Sequence, residues 1–310
     1  MSERGRDPDS PEVRREDPLE TPGAATSART PMYQAIHAAR YERQALIKDI
    51  EGKSGRKLIC YTMGSAAAID RDDTLGFVDL LHNVPQGCNL DLLLHTPGGD
   101  IDAAEKLISM VRTAVGIGAL RVIVPDFAKS AGTLIALGAD TIVMSDSSEL
   151  GPIDPQITLN DGHGNFIPHS VQCYLDAYET HSATLRKSPD DVPARIMLGK
   201  LDPSTVKLFE AVRNRARTFA EDQLKHGMFR LSGGNFTEIA NKLIDTARWP
   251  SHGQMISWQE AVSIGLCVEY VSPASEQWQL YWRLYCLQRL AVKDRQKLFE
   301  SNYASFLLDD

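Results

Sequence analysis

Two stretches of this chain carry the residue types that acyl-transfer chemistry needs. The first reads Leu92-Leu93-Leu94-His95-Thr96-Pro97-Gly98-Gly99-Asp100, an apolar run entering a Pro-Gly-Gly turn and then a helix start. Consecutive glycines admit positive φ and close backbone approach, so their N–H groups are available to an anion or a developing oxyanion. The second stretch leads from Val122-Ile123-Val124-Pro125 to Lys129-Ser130-Ala131-Gly132-Thr133 and the apolar Leu134 to Leu137. It places a serine between a buried strand and a helix of small residues, where the helix dipole favours negative charge. Taken singly, the first is an ordinary tight turn and the second an ordinary serine N-cap. Together they supply an attacking hydroxyl and two amide donors, for which Ser130, Gly99 and Ala131 are the natural choice.

Such chemistry needs a rigid frame, and the sequence offers one. Short apolar runs at Lys57 to Met63, Leu90 to His95, Arg121 to Pro125 and Thr141 to Met144 read as buried strands. Helical stretches at Thr74 to Asn83, Asp100 to Val115 and Ser130 to Gly138 separate them, giving an α/β core. An earlier helix spans Met32 to Ile50 and stops at Gly52, and Asp161-Gly162 marks a hairpin between Ile157 and Pro168. Helices follow at Val171 to Lys187, Ser204 to Lys225 and Phe236 to Ile244. Ser257 and Glu260 then form a capping box before Gly265, and strand character resumes at Val268 to Val271. In the last stretch, Trp278, Tyr281, Trp282, Tyr285 and Leu290 lie along a helix that packs on its own core or on another subunit.

Composition narrows the function classes. Of the 310 residues, 43% are hydrophobic, and the net charge of -8 speaks against a sequence-independent nucleic-acid surface. The five cysteines are scattered, with neither a CxxC pair nor a zinc-ligand spacing, and read as reduced thiols in a cytoplasmic protein. No metal or cofactor signature appears. The polar leader, residues 1–31, reads as disordered and lacks the apolar core of a signal peptide, and no segment is apolar enough to span a membrane.

The motif order then resembles a known family. Thr96-Pro97-Gly98-Gly99-Asp100, Ala128-Lys129-Ser130-Ala131-Gly132-Thr133 and Ala136-Leu137-Gly138-Ala139-Asp140-Thr141 are similar to the ordered motifs of the Clp proteolytic subunit and signal peptide peptidase A. Leu150-Gly151-Pro152-Ile153-Asp154-Pro155-Gln156 resembles, within that Clp-protease/crotonase superfamily, the serine dehydrogenase proteinases. The later segment Gly253 to Ala261 into Gly265 to Val268 is similar to the closing helix and strand of the signal peptide peptidases. The resemblance implies a β-β-α spiral core over residues 32–275, a C-terminal helical segment over 276–310, and a homo-oligomer acting on polypeptide substrates without a cofactor.

It also implies roles: Ser130 as nucleophile, with Gly99 and Ala131 as the oxyanion hole. The base is harder to assign. Where the Clp subunit has a histidine, this sequence has Asp154, which puts a Ser-His-Asp triad in doubt. Signal peptide peptidases use a lysine, and Lys187 is the nearest match by order, with Lys200 next; His163 and His169 in the hairpin are further choices. A lysine base requires burial or neighbouring positive charge. The expectation is therefore a serine endopeptidase with a Ser130–Lys187 dyad. Its competitors are a non-catalytic oligomeric member of the fold and a crotonase-like acyl-thioester enzyme.

Overall fold

The structure, a computed structural model, describes residues 30–160, 164 and 166–309. The leader expected to be disordered thus lies outside the described residues, apart from Thr30 and Pro31, as do Asp161, Gly162 and His163. The chain divides into two units, Met1–Ala38 and Ala39–Asp310. In the first, helix α1 (Pro31–Ile36) is capped by the Thr30 hydroxyl, which accepts from the Tyr33 N–H.

The second unit opens with α2 (Ala38–Ser54) and then alternates strand and helix: β1 (Lys57–Met63), α3 (Asp73–His82), β2 (Leu90–His95), α4 (Ile101–Val115), β3 (Leu120–Ile123). A short strand β4 (Phe127–Ala128) precedes α5 (Ala131–Leu137), and β5 (Thr141–Met144) is followed by β6 (Glu149–Leu150). The hairpin β7 (Gln156–Asn160) and β8 (Phe166–Ser170) leads into α6 (Val171–Lys187), α7 (Val192–Gly199), α8 (Pro203–His226) and α9 (Phe236–Ile244). The chain closes with α10 (Trp258–Ile264), β9 (Val268–Tyr270), α11 (Glu276–Ala291), β10 (Gln296–Ser301) and β11 (Ser305–Asp309).

Strand alternation explains the layering. In the main sheet, ordered β11-β10-β1-β2-β3-β5-β9, the strands from β1 to β9 run parallel. Leu90, Leu92 and Leu94 of β2 join one core together with Ala104, Leu107 and Val111 of α4. Leu93, between them, faces the opposite core, built with Ile47 of α2 and Trp278, Tyr281 and Leu284 of α11. With apolar side chains on both faces, these strands must be covered by helices on both sides, which is why they read as near-continuous apolar runs. The aromatic row of the last helix accordingly packs on its own sheet.

A second, smaller layer grows from the ends of the same strands. Thr96, just past β2, bridges to Ala128 of β4, β4 pairs with β6, and Leu150 of β6 bridges to Ile256. The turns of the chain that include β2, β3 and β5 thus each contribute one strand to the main sheet and a short extended piece to this layer. That is the α/β spiral arrangement expected from the sequence.

The C-terminal segment departs from expectation. Residues 276–310 are helical only through α11; β10 and β11 then form a hairpin that extends the main sheet antiparallel from β1. Charged side chains conceal this strand in the sequence. Lys297 and Glu300 are both buried in β10, held by Asp70 and Asp73 and by Arg43 respectively. Among the described residues no helix is long and apolar enough to cross a membrane, and all five cysteines are unpaired.

One buried group gives the fold a pH signature. His95, at the end of β2, is 1% exposed, and neither ring nitrogen has a hydrogen-bond partner among the described residues. Asp126 Oδ2 stands 3.8 Å from Nδ1, beyond hydrogen-bond length. Burial, reinforced by the charge of Arg289, pushes the imidazole down to about 3. The folded protein therefore keeps His95 neutral where the unfolded chain takes up a proton. Between pH 6.5 and 3 its contribution to stability falls as pH falls, by up to about 1.4 kcal/mol per pH unit. Urea unfolding of wild type and His95→Gln at pH 7, 6 and 5 should show a shallower decline in the variant.

Candidate active site

The test of the sequence reading is whether the double-glycine turn and the Ser130 turn meet. They do. A Cβ built on Gly98 would lie 2.9 Å from Ser130 Cβ and 2.9 Å from Lys129 O, so the two backbones touch and glycine is required for the approach. The contact is stitched by reciprocal bonds, Thr96 N–H to Phe127 O at 3.1 Å and Lys129 N–H to Thr96 O at 3.0 Å.

Ser130 holds φ 51° and ψ -117°, the one positive-φ non-glycine among the described residues. L-residues avoid this conformation, and it persists where surroundings enforce it, commonly at functional sites. Here the enforcing contacts are the Thr96 pairing before Ser130 and the Gly132 N–H bond to Lys129 O at 2.7 Å after it. At Gly132 a Cβ would fall 2.4 Å from Thr96 Cγ2, which explains the run of small residues opening α5.

The facing turn is braced from the other side. Ile69 donates to Gly98 O and accepts from the Asp100 N–H, both at 2.8 Å. Gly99, at φ 147°, has no room for a Cβ, which would lie 2.3 Å from Ile69 N. Asp70, next to Ile69, is anchored by the buried Lys297 ammonium at 2.6 Å. The N–H groups of Gly99 and Ala131 are left with no acceptor among the described residues, the state required of donors that wait for an oxyanion. Asp100 caps α4 through the Ala103 N–H at 2.7 Å.

Ser130 opens onto a cleft of about 560 Å³. Gly99, Asp100, Ile101 and Asp102 line one side, Pro155 and Gln156 another, and Ala211, Val212 and Arg215 of α8 a third. The Arg215 guanidinium is neutralised at the rim by Asp102, at 2.9 Å, and by Glu105. The remaining lining residue is His252.

His252 lies in the loop before α10, and its Nδ1 is 2.8 Å from Oδ1 of Asp154, a residue only 2% exposed. A carboxylate oxygen accepts, so Nδ1 carries the proton and Nε2 presents its lone pair. No group among the described residues occupies that Nε2. Ser130 and the imidazole of His252 thus line one cleft, and the buried Asp154 carboxylate orients the imidazole.

The bases named from sequence lie elsewhere. Lys187 is on the last turn of α6 and Lys200 follows α7; both are exposed, and neither lines the cleft. Exposed, they lack the burial that a lysine base requires. His169, on β8, is exposed and also absent from the cleft wall, while His163 lies outside the described residues. His252 was missed although it immediately precedes the segment Gly253 to Ala261 that carried the family resemblance. Asp154 was noticed as the residue standing where a histidine was expected; its partner is 98 positions further along the chain.

Comparisons with known proteins bear on the same region. Residues 66–164 match the model of a family described as ClpP-like SDH-type serine proteinase. This stretch includes both glycines, Ser130, Ala131 and Asp154. Two uncharacterized proteins of Methanocaldococcus jannaschii are similar to the chain. MJ0137 is 29% identical over 201 residues, covering 64% of this chain and 59% of that protein. MJ1495 is 31% identical over 133 residues, covering 37% of this chain and 42% of that protein. The chain thus spans under two thirds of the length of either relative. Among solved structures, a 1510-N membrane-bound stomatin-specific protease gives a TM-score of 0.42 at 18% identity, covering 69% of this chain and 80% of that one. A second mutant form of it, in complex with a substrate peptide, gives 0.40 at 17% identity, covering 74% and 99%.

Proposed function

We propose that this chain, whose residues 66–164 match the model of the ClpP-like SDH-type serine proteinase family, is an endopeptidase working through an acyl-enzyme on Ser130 with His252 as general base. Ser130 Oγ attacks the scissile carbonyl carbon while its proton passes to His252 Nε2. Asp154 holds Nδ1–H, fixes the tautomer and stabilises the imidazolium that forms. The carbonyl oxygen becomes an oxyanion held by the N–H groups of Gly99 and Ala131, each worth about 3 kcal/mol of barrier. Collapse of the tetrahedral intermediate breaks the C–N bond, and the imidazolium proton goes to the leaving amine. Water then deacylates Ser130 by the same route, with His252 again the base.

The observation that carries this reading is the pairing of His252 with Asp154 in the cleft that holds Ser130. It also speaks against a non-catalytic reading, whose motive is that Asp154 stands where a triad histidine is expected. The histidine is supplied from a different loop. In place of a Ser–Lys dyad, the proposal is a serine–histidine–aspartate set whose last two members have exchanged positions along the chain.

A fluorophosphonate tests the proposal, because it reacts only with an activated serine. The expected result is one phosphonyl group per chain, mapped to the peptide containing Ser130 and lost in Ser130→Ala. A folded protein that takes up no phosphonate, or takes it up equally in the Ser130→Ala variant, would contradict the proposal. Crotonase-like chemistry predicts the first of these, no phosphonate uptake, since it uses the amide donors without a covalent serine.

A further inference from the structure

Lys129 is placed to do more than precede the nucleophile. Its ammonium lies 2.8 Å from Glu149 Oε2, 3.2 Å from Leu150 O, 3.2 Å from Gln254 O and 3.4 Å from Gly253 O. These acceptors come from two places: the end of β6, four residues before Asp154, and the loop immediately after His252. The side chain is only 14% exposed, so the charge is largely withdrawn from water and depends on these partners. Gly151 makes the passage, because a Cβ there would lie 2.8 Å from Lys129 Cδ.

From this arrangement we infer that Lys129 is a positioning residue that sets the register between the nucleophile and the base, an inference that rests on the function proposed above. The residue bonded to Ser130 through the backbone reaches, through its own side chain, to the two residues that follow His252. A shift of the 251–254 loop therefore moves the imaginary line from Oγ to Nε2 unless Lys129 holds it. The loop has other ties: the His252 Nδ1–Asp154 bond at 2.8 Å orients the ring, and the reciprocal pairing of Leu150 and Ile256 at 3.0 Å fixes the strand, while Lys129 binds the backbone carbonyls of the turn itself. Surrounded by four acceptors, Lys129 serves as a donor and leaves base chemistry to His252.

A double-mutant cycle on phosphonylation rate tests the inference. Lys129→Met keeps the stem and removes the charge; a misplacement on the order of 1 Å costs about 100-fold, so a loss of about 30- to 100-fold is expected. In the His252→Ala background the same substitution should cost less than about twofold, because there is no base left to position. Gly151→Ala, which displaces the stem while keeping the charge, should give a smaller loss in the same pattern, and it keeps the test available should Lys129→Met not fold. Equal losses from Lys129→Met in both backgrounds, or no loss in a folded Lys129→Met protein, would overturn the inference. If His252→Ala alone leaves the rate unchanged, it is the proposed base that fails, and that outcome is read independently of the cycle.

Discussion

Replacing His252 with alanine is expected to slow phosphonylation and peptide hydrolysis by about four orders of magnitude, with little change in KM. The imidazole touches the cleft but forms no part of the three core clusters among the described residues, being a half-buried side chain on a turn whose backbone is tied by Lys129 and by the Leu150–Ile256 pairing. Its removal should therefore spare the fold and remove only proton transfer. The oxyanion donors and the bound geometry remain, so residual catalysis above the rate in water should survive. Thermal unfolding measured beside the kinetics separates the two effects. A variant with unchanged Tm and unchanged rate would exclude His252 as base.

Asp154→Asn is the second large effect, and its mechanism differs. Asparagine preserves the shape and can donate its amide N–H to Nδ1, which places the ring proton on Nε2 and points the wrong tautomer at Ser130. A loss of about 10³- to 10⁴-fold in kcat is expected, again without a comparable change in KM. Asp154 is 2% exposed, and its neighbour Ile153 is bonded through N–H to Leu243 O at 3.1 Å, so the position is structurally anchored irrespective of charge. A loss of only a fewfold would mean that the carboxylate merely supports the loop. The unfolding curve of the Asn variant should lie close to wild type, which makes the kinetic loss interpretable.

What the sequence made legible follows from how local each signal is. The Thr96–Asp100 turn and the Lys129–Thr133 turn each have a composition that admits one backbone shape, and their order along an α/β chain implied that they meet; the contact of Gly98 with Ser130 meets that expectation. The caps on α4 and α10 were readable for the same reason, since Asp100 and the Ser257–Glu260 pair act within three residues. His252 carried no such local mark. It sits in a turn without periodicity, and its meaning comes from a carboxylate 98 positions earlier. The lysine candidates gained their standing from order along the chain, and exposure, which no local pattern reports, removes them from the cleft.

The terminal hairpin shows the same limit from the opposite direction. β10 is almost wholly buried, yet it contains Lys297 and Glu300, whose charges are met by Asp70, Asp73 and Arg43 from distant parts of the chain. Alternation of apolar and polar residues fails as a signal when the polar residues are themselves buried in pairs. The strand is nonetheless tied to the site: Lys297 anchors Asp70, and the adjoining Ile69 holds the glycine turn that carries the proposed donor Gly99.

The proposed acyl transfer requires Ser130, His252 and two backbone amides to converge around one tetrahedral centre. The most direct measurement is a crystal structure of the phosphonylated protein, in which the phosphoryl oxygen takes the place of the oxyanion. It should show that oxygen within about 2.7 to 3.1 Å of both Gly99 N and Ala131 N, and His252 Nε2 within about 3.2 Å of Ser130 Oγ. A phosphoryl oxygen turned away from both amides, or a lysine in the place assigned to His252, would contradict it.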